Sequence, residues 1–417
     1  MSDQIKAELV FIPSPGRGHL LATLEMANLL INRDERLSIT VLVIKLKSSD
    51  YFYSPESNSR IRFVDLPQVE SRFQSQFIDS HKDHVRNEVA KIVQDFSSNN
   101  RRLAGFVVDM FCTTMIDVAN EFNVASYVFF TSGASALGLV FYFQGLRDYQ
   151  DQDPTVYENS TDEILIPSYK SPVPAKLLPD ALFQNDQMLL NHAKRFRETK
   201  GIMVNTFLEL DFQAMKSLSE DEKIPPVYSV GPILHADGEN NRNPKYNGIM
   251  AWLDEQPDSS VVFLCFGSEG CFDEIQVKEI ALALEKSGHR FLWSLRKPPG
   301  EHKFETPGEY ENPGEVLPDG FLQRTAGVGK VIGWAPQVAI LSHRAVGGFV
   351  SHCGWNSILE SVWCGVPIAA WPLYAEQQVN AFQLVKDLGV AVEIKMEYKK
   401  GSSMMVTAEE IENGISA

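Results

Sequence analysis

The sequence predicts an α/β protein built of two Rossmann-like domains that face each other across a cleft. Short runs of β-branched and aromatic residues alternate with longer runs of helical period. Those short runs are almost wholly apolar, as parallel strands buried on both faces by crossover helices must be. The pattern breaks once, in a Pro-, Gly- and Asn-rich stretch past the middle of the chain, and then starts again.

In the first half, ELVFIPS (8–14) precedes the helical stretch HLLATLEMANLLIN. SITVLVIK (38–45), IRFVDLP (61–67), LAGFVVD (103–109) and ASYVFF (125–130) follow as further strands. The break comprises Pro225, Pro226, Gly231, Pro232 and the polar run HADGENNRNPKYNG (235–248). Beyond it, SVVFLCFGS (260–268), RFLWSLR (290–296), GKVIGW (329–334), VGGFVSH (346–352) and VPIAAWP (366–372) read as the second set of strands. DEIQVKEIALALEKSG (273–288) is one of the helices between them. Alternation of this kind implies right-handed βαβ units in two open, doubly wound sheets. The expected domains are 1–234 and 249–417, joined by a linker at 235–248. Near the end, Thr407 and Glu410 form a capping box, with Val406 and Ile411 placed as its hydrophobic staple. Few residues follow, so either this helix is short or the second domain lacks its final helix or helices.

A chain of 417 residues suits two or three domains. Its 38 basic and 54 acidic residues give a net charge of −16, which repels phosphate backbones and anionic lipid surfaces. No basic patch offsets this, so nucleic acid is excluded as a partner. Five cysteines, an odd number lying in or beside apolar strands, argue against a disulfide framework and for a reducing compartment. The apolar run at the N-terminus is too short for a signal peptide. Residues 126–143, SYVFFTSGASALGLVFYF, come nearest to a membrane span, but Ser, Thr and two glycines inside them indicate a strand, a turn and a buried helix. The expected protein is cytoplasmic, with no membrane span.

Three places carry candidate chemistry. PSPGRGH (13–19) follows the first strand and puts His19 at a helix N-terminus on the cleft side. Position 21 is Leu where a dinucleotide fingerprint has its third glycine, which also removes a nucleotide-sugar epimerase from consideration. His19 is either a general base or a helix cap. Asp109 ends a buried strand on the same edge. It either accepts an imidazole N–H, as the acid of a triad does, or caps the helix that follows. The third place is 334–377. It holds an exposed-type aromatic (Trp334), an anion site at a strand-to-helix junction (His352, Gly354, Asn356, Ser357), an acid one turn on (Glu360), and a polar pair after the next strand (Glu376, Gln377). In that order they describe a nucleotide-sugar site.

That stretch resembles the signature box of the plant UDP-sugar-dependent glycosyltransferases of secondary metabolism (family 1). The resemblance covers essentially the whole chain, including PSPGRGH, VVDMFCTTMIDVA and LCFGS. It implies a GT-B fold and inverting transfer, with the acceptor on the N-terminal half and the UDP-sugar on the C-terminal half. It makes His19 the catalytic base and Asp109 its partner. It places Trp334 against uracil, with Ala335 and Gln337 beside base and ribose, and gives Glu360 the ribose hydroxyls. Diphosphate contacts fall to Ser268, His352, Gly354, Asn356 and Ser357. Sugar contacts fall to Trp355, Glu376 and Gln377, with Thr131 as a further one, and Tyr374 also belongs to the UDP-sugar site. Gln377 implies glucose as the sugar. The acceptor would be a flavonoid, another phenol or a terpenoid, in a pocket lined near 73–84 and 111–114. UDP-glucose is the co-substrate, no metal or other cofactor is required, and a monomer is expected. The alternative is a UDP-sugar-binding protein that transfers weakly or not at all for want of its C-terminus. The chain departs from the pattern at Glu269 and Cys271, where relatives often carry Met and Ser.

Two decoys are set aside. Asp151 and Asp153 lie in a polar run with no strand before them, and His81 and His84 are expected on a wet helix surface.

Overall fold

The computed structural model describes residues 6–45, 59–69, 76–96, 100–184, 186–234, 244–300 and 306–417. Residues 73–75 of the expected acceptor pocket and 235–243 of the expected linker lie outside these.

The first sheet has seven parallel strands in the spatial order Ile61–Asp65, Leu37–Val43, Lys6–Ile12, Arg101–Asp109, Ala125–Phe130, Ile202–Val204, Val227–Ser229. The second has six, in the order Gly329–Ile332, Arg290–Ser294, Val261–Cys265, Val346–Ser351, Ile368–Ala370, Ala391–Glu393. Counted from its own first strand, the second runs 3-2-1-4-5-6, the doubly wound order, and the first runs the same with a seventh strand added at the end; each reverses beside its first strand. The apolar runs read from the sequence are these strands. Phe11, Ile39, Val41 and Phe129 are sealed in one core, and Phe291, Trp293, Phe321 and Trp371 in the other. Ile202–Val204, Val227–Ser229 and Ala391–Glu393 went unread because three residues are too few to show a pattern.

The helix expected at 273–288 forms as Glu274–Ser287. Asp273 accepts the Gln276 N–H at its start, and Gly288 ends it in the left-handed region at φ 66°. The membrane-like run resolves into the strand Ala125–Phe130 and the buried helix Ala134–Gln150. No helix among the described residues is long and apolar enough to cross a membrane. The capping box at Thr407 is present, and Val406 and Ile411 are both fully buried above the helix Ala408–Ser416.

The chain divides into two compact units, and the division is not a single cut. Residues 1–154 and 181–235 make one unit; residues 155–180 belong with 236–417 in the other. The expected first domain of 1–234 is thus interrupted. The reason is local to the second unit. Tyr169 packs on Phe382 with ring centroids 6.1 Å apart, and the N–H groups of Lys170 and Ser171 donate to the Asp387 carboxylate at 2.8 and 3.0 Å. Polar sequence of this kind gives no sign of which core it will join.

Of the decoys, Asp151 ends the helix Ala134–Gln150 in the left-handed region at φ 53°. His81 corrects its expectation. It is buried, with Nδ1 2.9 Å from the Phe77 carbonyl. Among the described residues no group of three or more His, Cys, Asp or Glu side chains is placed to hold a metal ion.

Candidate active site

The first sheet reverses between Lys6–Ile12 and Arg101–Asp109, which pair in parallel with Ile12 opposite Val108. Doubly wound sheets bind ligands at the carboxyl ends of the strands that flank such a reversal. The first strand hands over at Gly16 to the helix Arg17–Arg33, which no side chain caps, and His19 lies in its first turn. His19 therefore does not cap the helix. Its Nδ1 lies 2.8 Å from Asp109 Oδ2 and 3.0 Å from Thr131 Oγ1.

Asp109 holds an imidazole and does not cap the helix that follows, since Met115–Glu121 starts at Thr114 without a side-chain cap. Oδ1 accepts the Phe111 N–H at 3.0 Å and so fixes the turn after the strand, while Oδ2 holds the imidazole. Its side chain is fully buried, whereas that of His19 is 29% exposed, so the carboxylate is held and the ring is reachable. A carboxylate on Nδ1 keeps the proton there and puts the imidazole lone pair on Nε2. Thr131 stands on His19, where a sugar contact was expected, and its hydroxyl donates weakly to Met110 Sδ at 3.9 Å.

Asp211 is a residue of this site that the sequence did not indicate. It is buried, and it accepts the Ala134 N–H (2.8 Å), the Ser135 hydroxyl (3.0 Å) and the Thr206 hydroxyl (2.7 Å). It thereby caps the helix Ala134–Gln150 from a distance and anchors the turn that carries Thr131. A cap supplied from 77 residues away leaves no local signature.

The second sheet reverses between Val261–Cys265 and Val346–Ser351, with Cys265 opposite Ser351. Ser268 is exposed in the turn after the first of these strands. His352 and Cys353 follow the second, and Gly354 leads into the helix Trp355–Cys364, whose N-terminus no side chain caps. Cys353 is in the left-handed region at φ 59°, a strained setting for a side chain, and Asn380 Nδ2 donates to its carbonyl at 3.1 Å. Uncapped N–H groups and the helix dipole there suit an anion, and Asn356 and Ser357 are in the first turn.

His352 is wedged between two glycines, since a Cβ at Gly267 or at Gly354 would sit 2.5 Å from its Nε2. Burial pushes its pKa down to about 4, so the ring is neutral near pH 7. Its Nδ1, and Asn356 Oδ1, are buried with no hydrogen-bond partner among the described residues.

Gln337 Nε2 donates to Ser357 Oγ at 2.8 Å and to Glu360 Oε2 at 2.6 Å, drawing three predicted residues into one group. Trp334 is 38% exposed, with the Arg296 guanidinium over its ring at 5.1 Å, and its backbone N–H donates to Glu309 Oε1 at 2.8 Å. Ala335 and Trp355 are buried beside these, and Tyr374 is half-buried with its phenol pKa pushed up by burial. Glu376 is half-buried at the start of the helix Gln377–Phe382. Gln377 is buried, and its Oε1 accepts the Leu373 and Tyr374 N–H groups at 2.9 and 3.0 Å. The loop with the unusual residues is pinned by Lys400, whose Nζ donates to the Glu269 carbonyl (2.8 Å) and to Cys271 Sγ (3.1 Å).

Residues 228–415 match the family model of the UDP-glucoronosyl and UDP-glucosyl transferases. UDP-glycosyltransferase 71A15 of Malus domestica is 54% identical, over 98% of this chain and 90% of its own length. UDP-glucose flavonoid 3-O-glucosyltransferase 6 of Fragaria ananassa is also 54% identical, with the same coverage. Among solved structures, a UGT transferase from Siraitia grosvenorii in complex with UDP superposes with a TM-score of 0.91 at 50% identity, covering 98% of this chain and 91% of that one. UGT71G1 of Medicago truncatula, complexed with UDP-glucose, gives 0.86 at 43% identity, covering 100% and 91%.

Proposed function

The chain belongs to the plant family of UDP-dependent glycosyltransferases, and on that premise we propose that it moves glucose from UDP-glucose to a hydroxyl of a small phenolic acceptor, with inversion and with His19 as general base. The observation that carries the reading is the bond from His19 to the buried Asp109 at the reversal of the first sheet.

In this reading Nε2 of His19 takes the proton of the acceptor hydroxyl while the Asp109 carboxylate stabilises the imidazolium that forms. The acceptor oxygen bonds to the anomeric carbon from the face opposite the diphosphate, and the bond from that carbon to the phosphate oxygen breaks. UDP leaves with the electron pair. The charge that develops on it falls to the N-terminus of the helix Trp355–Cys364, with Asn356, Ser357, Ser268 and the neutral imidazole of His352 as hydrogen-bonding groups. Trp334 stacks on uracil, Gln337 and Glu360 take the ribose, and Trp355, Tyr374, Glu376 and the Gln377 amide take the sugar. A flavonoid fits as acceptor because relatives at 54% identity carry that substrate class in their names. Five free cysteines fit a reducing compartment such as the cytoplasm.

The test is incubation with UDP-glucose and a panel of flavonoids and simpler phenols, with glycosides detected by mass. His19→Ala should reduce transfer by at least roughly 10²–10⁴-fold, the usual worth of a general base, and leave UDP affinity within about twofold. Undiminished turnover by that variant would remove His19 from the mechanism, and absence of any glycoside from the wild-type chain would overturn the reading as a whole.

A further inference from the structure

We propose that His192 is an acceptor-recognition residue, which offers one imidazole nitrogen to a second hydroxyl of the acceptor and so favours phenols bearing several hydroxyl groups over those bearing one. This rests on the transferase reading above and extends it to a residue outside the family's signature box.

His192 lies on the helix Met188–Phe196, whose buried face is formed by Leu189, Leu190, Ala193 and Phe196. His192 itself is half-buried. Its Nδ1 is 2.8 Å from Thr113 Oγ1, in the turn that follows Asp109. Thr113 is buried, and among the described residues its hydroxyl bonds to nothing else, so the pair fixes the ring's orientation. Nε2 is neither hydrogen-bonded among the described residues nor one of the buried unpartnered atoms, so it reaches accessible space. In either tautomer it offers one bond. It donates when Thr113 donates to Nδ1, and it accepts when Nδ1–H donates to Thr113.

The ring's neighbours say what lies beside it. Phe111 contacts both imidazoles, 5.6 Å from His19 and 5.7 Å from His192 by ring centroids, edge-on to His192. The base and this second histidine therefore flank one aromatic wall. Burial pushes the His192 pKa below its ordinary value, with Asp79 and Asp109 opposing and Arg195 adding to the shift, so the group is a neutral polar one. A neutral imidazole beside an aromatic ring suits a phenolic hydroxyl better than it suits an anion.

Steady-state kinetics of the full chain with UDP-glucose would compare a monohydroxylated flavone with a polyhydroxylated one sharing the same reacting hydroxyl. His192→Ala should raise KM for the polyhydroxylated acceptor about 5- to 30-fold, the range of one ordinary hydrogen bond. Its kcat, the KM for UDP-glucose and the KM for the monohydroxylated flavone should each stay within about twofold. His192→Gln, which keeps a polar group, should restore part of the discrimination. Equal losses on both acceptors, unchanged discrimination, or a loss that follows a fall in thermal midpoint and is not restored by Gln would each overturn the proposal. No glycoside from the wild-type chain with either flavone would overturn the parent reading and this one with it.

Discussion

At the reversal of the first sheet His19, Asp109 and Thr131 satisfy one another within 3.0 Å, whereas at the reversal of the second sheet His352 Nδ1 and Asn356 Oδ1 are buried without partners. Both places end parallel strands and open onto a helix N-terminus. The difference follows from what each is proposed to do. A base must be aimed before its substrate arrives, so its bonds are internal. A diphosphate site must keep polar groups in reserve, and the cost of burying them unpaired is borne by the fold until a ligand bonds to them.

The largest effect expected from breaking this contrast lies on the prewired side. Asp109→Asn can still accept the Phe111 N–H, but it presents an amide donor to Nδ1 and favours the wrong tautomer of His19. Transfer should fall by roughly 10²–10⁴-fold with the thermal midpoint nearly unchanged, as kinetics and calorimetry on the one variant would show. A midpoint loss as large as that of Asp109→Ala would mean that the turn, not the tautomer, was what Asp109 supplied.

On the side held in reserve the effect is one of pH. His352 has a folded pKa of about 4 against an ordinary 6.5, so the unfolded chain takes up a proton first as pH falls. The stability this group contributes is complete above pH 6.5 and is lost toward pH 4, by at most about 3 kcal/mol. Carboxylates lose stability over part of the same window, so the check is the difference between wild type and His352→Gln, whose unfolding profile should be flatter between pH 4 and 6.5. Saturating UDP should also flatten the wild-type profile, because a diphosphate favours the imidazolium. Parallel profiles for the two proteins would show that His352 does not titrate in this range.

Gln377 sharpens the contrast least, because it belongs to both kinds. Its Oε1 is committed to two backbone N–H groups, while its amide nitrogen is proposed to reach the sugar. Gln377→Ala should weaken use of UDP-glucose by roughly 5- to 150-fold and also lower the thermal midpoint by about 2–10 °C, since two N–H groups lose their acceptor. Equal weakening of UDP itself would move Gln377 out of the sugar site.

Much of this was legible in the sequence, for a physical reason. Strands buried on both faces leave near-continuous apolar runs, and a ligand site at their carboxyl ends follows each run directly, so His19, Asp109, Trp334 and the 352–360 segment could be read in place. Function that depends on contacts distant in sequence could not. Asp211 supports Thr131 through a bond spanning 77 residues, and Thr113 orients His192 across 79. Nor could sequence show that Gln377 commits its amide oxygen to backbone N–H groups, or that Asp109 holds a turn and an imidazole together, because one residue type satisfies either demand.

Because residues 155–180 return to the second unit before the chain completes the first, the polypeptide passes between the units three times, near 154, 180 and 235. An excised fragment starting at the compositional break would lack Tyr169 and the two N–H groups that bond to Asp387, leaving Phe382 uncovered on its helix. Swapping halves between relatives to recombine acceptor and donor preferences therefore calls for a graft in two pieces. The 155–180 loop has to travel with the second unit, although it is encoded inside the first.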